Sequence, residues 1–399
     1  MRADECNTAQ PNVLAVLGTV PDPRQKRGQR YAWVTLLQVI SAAVLSGQQT
    51  GAAIAQWIVE HAAEWQGWAP TTRGWIPSAA TIRRTLRHLD VTALEHALGT
   101  WNADQARAPV AEGAEAGREA GAPLRAVALD GKAVRGAQTH GAKVHLVSLV
   151  THHAGLTLAQ CAVEEKSNEI PAAQRLLGAR DLHGWVVTVD AMHTQRATAE
   201  VILRQGGHYL MVVKANQPAL YATLAEWFAT PATTAEAEQV VETLDKAHGR
   251  LERRTTRLRR LLPCGRVDWL GFPGARQGLA RDCWTRRLRA GTEHAARTYA
   301  VTSLPPDVLP IDALEALWRG HWTIENCAHY VRDVTCHEDA GQAWTGQTPQ
   351  ALAALRNSAL ALFRLAGWTN MAAAFRHVDA SVSRAFALLT AAPAQPLRL

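Results

Sequence analysis

Three acids stand where solvation alone does not account for a carboxylate. Asp130 closes the apolar run Arg125-Ala-Val-Ala-Leu-Asp130, and Asp190 closes Trp185-Val-Val-Thr-Val-Asp190. Each run reads as a buried strand ending in an acid, and a charge there needs a partner. Glu325 lies within Leu317 to Glu338, which reads as one long helix. Steps of three or four residues put His321, His329 and Arg332 on its face. Taken singly, each acid is more readily a strand-end cap or a solvated carboxylate. As a set, three carboxylates from separate elements can hold two divalent ions about 4 Å apart. One ion would activate a water or a 3′-hydroxyl and the other would stabilise the leaving oxygen. Hard oxygen ligands suit Mg²⁺ or Mn²⁺, so two such ions per site are expected.

The elements needed to position these acids can be traced in the pattern. Arg125–Asp130, Lys143–Val150 and Leu156–Val163 read as three strands in hairpin connection. Two more strands, Trp185–Asp190 and Tyr209–Lys214, alternate with helices over 170–177, 195–204 and 217–228. That order predicts a mixed α/β sheet. Residues 229–297 break the pattern with a dense run of arginines, and read as an inserted, mostly β subdomain. Its charges are expected to face solvent or phosphate, with Arg253, Arg254, Arg257 and Arg259 as DNA contacts. Tyr299 resumes the strand pattern ahead of the Glu325 helix. Helices follow over 351–365 and 372–389, and then a Pro-containing tail.

Upstream, residues 1–102 read as helical. Pro21 to Arg30 is a basic turn that contains Arg24 and Arg27. A helix starting after Ser78 carries Ile82, Leu86 and Leu89 on one side and Arg83, Arg84, Arg87 and His88 on the other. Such a face can meet phosphates or base edges, but a solvated basic face is also the ordinary state of a surface helix. From Ala103 to Ala122 the composition collapses to Ala, Gly and Glu, which reads as a linker.

Bulk composition is compatible with this reading. Hydrophobic residues are 47% of the 399 and charged residues 19%, with a net charge of +7; these values fit a globular chain with an anionic partner. The six cysteines lack metal spacing and read as reduced thiols of a cytosolic protein. The apolar stretch Val34–Leu45 is shorter than a membrane span.

Seven landmarks occur in order: Asp22-Pro23-Arg24, Pro77-Ser-Ala-Ala-Thr-Ile82, Ala128-Leu-Asp-Gly-Lys132, Lys166-Ser-Asn-Glu-Ile170, Val189-Asp-Ala-Met-His-Thr-Gln195, Lys214-Ala-Asn-Gln217 and His321-Trp-Thr-Ile-Glu-Asn326. Over roughly residues 22–365 the chain resembles the ISAs-type insertion-sequence transposases (H-repeat-associated proteins) among the DDE, RNase H-like transposases. The resemblance implies that Asp130, Asp190 and Glu325 are the metal-binding triad. It also implies an RNase H-like mixed sheet as the catalytic core, with an inserted segment and a small all-α N-terminal domain that recognises DNA. The boundaries that follow are 1–102 for the N-terminal domain, 103–123 for the linker, 124–370 for the catalytic domain with its insert at about 229–297, and 371–399 for a helical tail. Around the last acid the broader group often shows Tyr, Arg, Glu and Lys where this chain has Trp318, His321, Glu325 and Arg332. Arg332 would replace Lys as a phosphate contact, and a contact by His321 would depend on pH. Ala215 stands where Gly is common.

Other landmark residues have an alternative reading alongside the functional one. Lys166–Glu169 would line a DNA groove or cap the next helix. Lys214 and Gln217 would meet phosphate. His193 reads as a partner of Asp190 rather than a ligand, and Trp322 as core packing. The expected function is DNA transposition: metal-dependent cleavage at the element's terminal inverted repeats and strand transfer into target DNA, by a homodimer or larger assembly in the cytosol, away from membranes. A catalytically silent DNA-binding relic or repressor, and an RNase H-like nuclease without strand transfer, are the alternatives.

Overall fold

The computed structural model describes residues 11–27, 29–107, 124–139, 142–164, 168–247, 249–261, 270–341 and 346–391. Most of the expected linker, along with Lys166, Ser167, Arg266, Trp269, Cys6, Cys264 and the last eight residues, lies outside them. In chain order the helices and strands are α1 (Val13–Gly18), α2 (Trp33–Leu45), α3 (Gly51–Glu60), α4 (Ala62–Trp65), α5 (Ala79–His88), α6 (Val91–Arg107), β1 (Arg125–Thr139), β2 (Ala142–Thr151), β3 (Thr157–Ala162), α7 (Glu169–Gly178), β4 (Trp185–Val189), α8 (Arg196–Arg204), β5 (His208–Val213), α9 (Pro218–Ala229), β6 (Gln239–Ala247), β7 (Arg250–Arg260), β8 (Gln277–Arg287), β9 (Glu293–Thr302), α10 (Ile311–Gly320), α11 (Thr348–Leu365), α12 (Met371–Asp379) and α13 (Val382–Thr390). Among the described residues no helix is long and apolar enough to cross a membrane.

The chain divides into two compact units. One holds residues 1–118, 131–166 and 323–399, and the other holds 119–130 and 167–322. The first unit is built on helices. Leu36, Leu37, Ile40, Ile54, Ile58, Ile82 and Leu86 from α2, α3 and α5 pack with Leu352, Leu355, Phe363 and Phe386 from α11 and α13 in one core. The N-terminal helices therefore do not close a core within residues 1–102. The unit also holds β3 and β2, antiparallel with Val147 opposite Cys161, and the second half of β1. The Ser78 side chain accepts from the Thr81 N–H at the start of α5, as its position predicts.

The second unit holds a mixed sheet in the order β1, β4, β5, β9, β8, β7, β6. Its β1 half runs parallel to β4, with Ala128 opposite Thr188 and Leu129 opposite Val189; β4 runs parallel to β5. From β5 onward the pairing is antiparallel. Val186, Leu210, Leu258, Leu279, Ala300, Leu314 and Trp318 form a core on this sheet. The Arg-rich segment is mostly β, as expected, but β6 to β8 extend the sheet beyond β9 rather than forming a sheet of their own.

Two element readings change. Strand β1 does not end at Asp130 but continues to Thr139, with Lys132, Val134 and Ala137 buried along it. Gly136 is required there, because a Cβ would lie 2.5 Å from the backbone oxygens of Asp339 and Gly341. The run Leu317–Glu338 is not one α-helix either. Helix α10 ends at Gly320, and residues 324–329 and 331–335 are π-helical, as seen where the Cys336 N–H donates to the Val331 carbonyl.

Candidate active site

Asp130 and Asp190 each follow the last residue of a paired run in which Leu129 faces Val189. Neighbouring parallel strands thus bring both aspartates to the same C-terminal end of their paired run. Parallel strands in register do this without help from side chains, since each residue faces its counterpart one strand spacing away. Both aspartates are half-buried.

The turn after β4 is what fixes Asp190. Its Oδ1 accepts from the Met192 N–H at 3.0 Å and the His193 N–H at 3.2 Å, while Thr194 Oγ1 donates to the Asp190 carbonyl at 2.9 Å. The loop after β5 clasps this turn. Asn216 Nδ2 donates to the Ala191 carbonyl at 2.5 Å, and Gln217 Nε2 donates to the Thr194 carbonyl at 2.9 Å. Two of the landmarks are therefore one structure, a polar stitch between adjacent loops. Gln217 is spent on that stitch, whereas Lys214 is exposed at the end of β5.

His193 is fully buried, and its Nε2 lies 3.3 Å from Glu169 Oε2 at the first turn of α7. The ligand atoms of Asp130, Glu169 and His193 all lie within 4.8 Å of one another, close enough to hold a metal ion. Asn168 caps α7 by accepting from the Ile170 N–H at 3.0 Å, which is the cap expected of the Lys166–Ile170 landmark. The approach of Glu169 to His193 was not legible in the sequence.

His321 is buried, with Nδ1 3.2 Å from Thr188 Oγ1. Burial pushes its pKa below the usual 6.5, against the opposing pull of Asp190. Buried against Thr188, the ring does not present the pH-dependent phosphate contact expected of it. Trp322 is 65% exposed instead of packing in the core, while Trp318, one turn earlier, is buried.

Glu325 belongs to the first unit. Its side chain is 65% exposed and receives His329 Nδ1 at 3.2 Å. Arg332 is the main correction on this segment. It is fully buried, with Nε and Nη2 on the Glu338 carboxylate and Nη1 on Gln160 Oε1. The π-helix explains the divergence. Seven residues return to the same side at 3.6 per turn, but at roughly 4.4 per turn, which i→i+5 bonding implies, they finish on nearly opposite sides. Glu338 also receives Arg356 Nη1 at 3.0 Å. Burial alone would raise its pKa, but Arg332 and Arg356 outweigh that and hold it below the usual carboxylate value.

The remaining basic candidates fall into two groups. Arg83, Arg84, Arg87 and Arg27 are exposed. Arg24 is held by Asp22 through Nε and Nη2, both at 2.8 Å, and by the Tyr31 carbonyl, so Asp22-Pro23-Arg24 is a self-pinned turn. In the Arg-rich segment the expectation of solvated charge fails for three of the four residues, all but Arg253. Arg259 is 1% exposed and donates to Glu238 and to the carbonyls of Trp227 and Thr230. Arg254 is paired with Asp245 and Glu252. Arg257 is half-buried and donates to the Phe228 carbonyl. Arg253 is exposed and lies over the Trp284 ring. The opposing acids Glu238, Asp245 and Glu252 on and beside β6 and β7 are what allow arginines this dense to be buried.

The family model described as "Transposase DDE domain" matches residues 121–362, and "DDE_Tnp_1-associated" matches residues 14–102. YncI of Escherichia coli O157:H7, named as a candidate transposase, is 27% identical over 88% of this chain and 87% of its own. An uncharacterised Xanthobacter autotrophicus protein from the dhlA 3′ region is 32% identical over 65% of this chain and 83% of its own. YhhI of Escherichia coli K12, an H repeat-associated candidate transposase, is 28% identical over 59% of this chain and 62% of its own.

Proposed function

Because the chain belongs to the transposase DDE domain family, we propose that it is the DNA transposase of an insertion sequence, cleaving strands at the element's terminal inverted repeats and joining them to target DNA. The observation that carries this reading is the pair of aspartates that follow the end of the paired run of parallel strands β1 and β4. Glu325 is the proposed third carboxylate. The strand order supports an RNase H-like core: β3, β2, β1 in one unit and β1, β4, β5 in the other.

The residues present fit a divalent cation. Two half-buried carboxylates supply hard oxygen donors, and Glu169 and His193 add ligand atoms beside Asp130. Bound there, Mg²⁺ or Mn²⁺ would lower the pKa of an attacking water or 3′-hydroxyl and neutralise charge on the phosphodiester. The chain's own part is positional. The Asx turn and the Asn216–Gln217 stitch hold Asp190 against rotation, and register holds Asp130 beside it. Duplex DNA would meet the exposed Arg83, Arg84 and Arg87, together with Arg27, Lys214 and Arg253. A homodimer or larger assembly would pair two element ends.

The test is strand cleavage by the purified full chain, with Mg²⁺, of DNA carrying the sequences that flank its gene. Asp130→Asn, Asp190→Asn and Glu325→Gln should each abolish nicking while gel-shift affinity persists. Nicking at the wild-type rate by any one of them removes that residue from the site. Cleavage without joining would favour a nuclease, and binding without cleavage in the wild type would favour a silent DNA-binding relic.

A further inference from the structure

His193 is a costly residue as it stands. Its side chain is completely buried, and among the described residues neither ring nitrogen has an aligned hydrogen-bond partner. The 3.3 Å approach of Nε2 to Glu169 Oε2 lacks hydrogen-bond alignment. Burying a polar group without a partner is unfavourable, so such groups are rare and call for a reason. Here the imidazole sits among two carboxylates, with ligand atoms of Asp130, Glu169 and His193 all within 4.8 Å of one another. Neighbouring ligands around an ion with bonds of about 2.1 Å stand roughly 3 Å apart, so small side-chain rotations would close the set.

We propose that Asp130, Glu169 and His193 form a three-ligand site for a divalent transition-metal cation, with one imidazole nitrogen and two carboxylates. A nitrogen donor lowers the preference for Mg²⁺ and Ca²⁺, which favour oxygen, and raises it for Mn²⁺ and Zn²⁺. The site does not depend on the transposase reading, since a chain that never cut DNA would still bind the ion. If the chain does cut DNA, Asp130 belongs to both ligand sets, and Glu169 and His193 make the position at Asp130 chemically unlike the one at Asp190. The loop after β4 then has two tasks. Met192 and His193 pin Asp190 through backbone N–H groups, while the His193 ring turns the other way, toward Glu169.

Manganese chloride is the probe, with the full chain and no DNA. Loss of the free Mn²⁺ EPR signal measures affinity, and electron spin-echo modulation of the bound ion reports a coordinated ¹⁴N. We expect wild-type chain to bind Mn²⁺ with ¹⁴N modulation, His193→Gln to lose the modulation, and Glu169→Gln to weaken binding at least tenfold. Asp190→Asn should keep the modulation, which separates this site from one built on the Asp130–Asp190 pair. Bound Mn²⁺ without ¹⁴N coupling in the wild type, or unchanged affinity in Glu169→Gln, overturns the proposal. Should His193→Gln fail to fold, Glu169→Gln and the wild-type spectrum still decide it. Because no readout is strand cleavage, a negative result here leaves the test of the transposase reading intact.

Discussion

Glu95 on α6 allows a pH prediction with its sign worked out. It is 7% exposed, and its carboxylate oxygens accept from neutral amides, Gln160 Nε2 at 2.8 Å and Gln350 Nε2 at 2.9 Å. Among the described residues no cation pairs with it, and the nearby Arg332 is held by Glu338. Burial therefore dominates and pushes its pKa from 4.5 up to about 8. The folded chain keeps this proton at neutral pH and the unfolded chain does not. Stability from Glu95 is complete below pH 4.5 and drains as pH rises toward about 8. The gradient is about 1.4 kcal/mol per pH unit for one proton, with a ceiling of about 5 kcal/mol over the window. Glu95→Gln removes the titration while keeping the shape. Its amide oxygen can receive Gln160, whose own oxygen is fixed by Arg332 and Asn357, and its amide nitrogen can meet a rotated Gln350. Urea unfolding at pH 5.5, 6.5 and 7.5, with hydrogen exchange on α6, compares the two proteins directly. The wild type should lose stability relative to the variant by about 1.4 kcal/mol for each pH unit. Parallel lines for the two proteins would refute the argument that Glu95 is buried as the acid.

Other consequences follow from the ion pairs and loops. Glu338→Ala leaves Arg332 and Arg356 buried without their anion and should cost about 3–5 kcal/mol in urea unfolding; a loss under 1 kcal/mol would mean the pocket hydrates freely. Arg259→Ala should destabilise the second unit yet leave the salt slope of DNA binding unchanged, whereas Arg253→Ala should flatten that slope by at most about 1 in log–log units. Equal slopes for Arg253→Ala and wild type would place that residue away from phosphate. Gln217→Ala unties the loop behind Asp190 and should slow Mg²⁺-dependent nicking by roughly 10–100-fold with gel-shift affinity kept, since a displacement of about 1 Å at the reacting groups is worth that much. An unchanged rate would show that the Asx turn alone holds Asp190.

Local order along the chain determined much of this protein. Apolar runs bounded by turn residues mark β2 to β5, and helical spacing marks the helices between them. The Ser78 and Asn168 caps follow from residue type at a helix start, and Asp130 and Asp190 stand out because an acid ends an apolar run. What depended on partners distant in sequence was decided by the tertiary structure alone. Charge density in the Arg-rich segment suggested solvation, but Glu238 and Asp245, delivered by strand pairing, draw Arg259 and Arg254 inward. The helical period put Glu325 and Arg332 on one face, until a π-helical ladder, with Arg332 anchored on Glu338, turned them apart. His193 read as a neighbour of Asp190 in the chain. Its ring meets Glu169 across two elements, a contact fixed by packing between helix and loop, for which a single sequence carries no periodic signal.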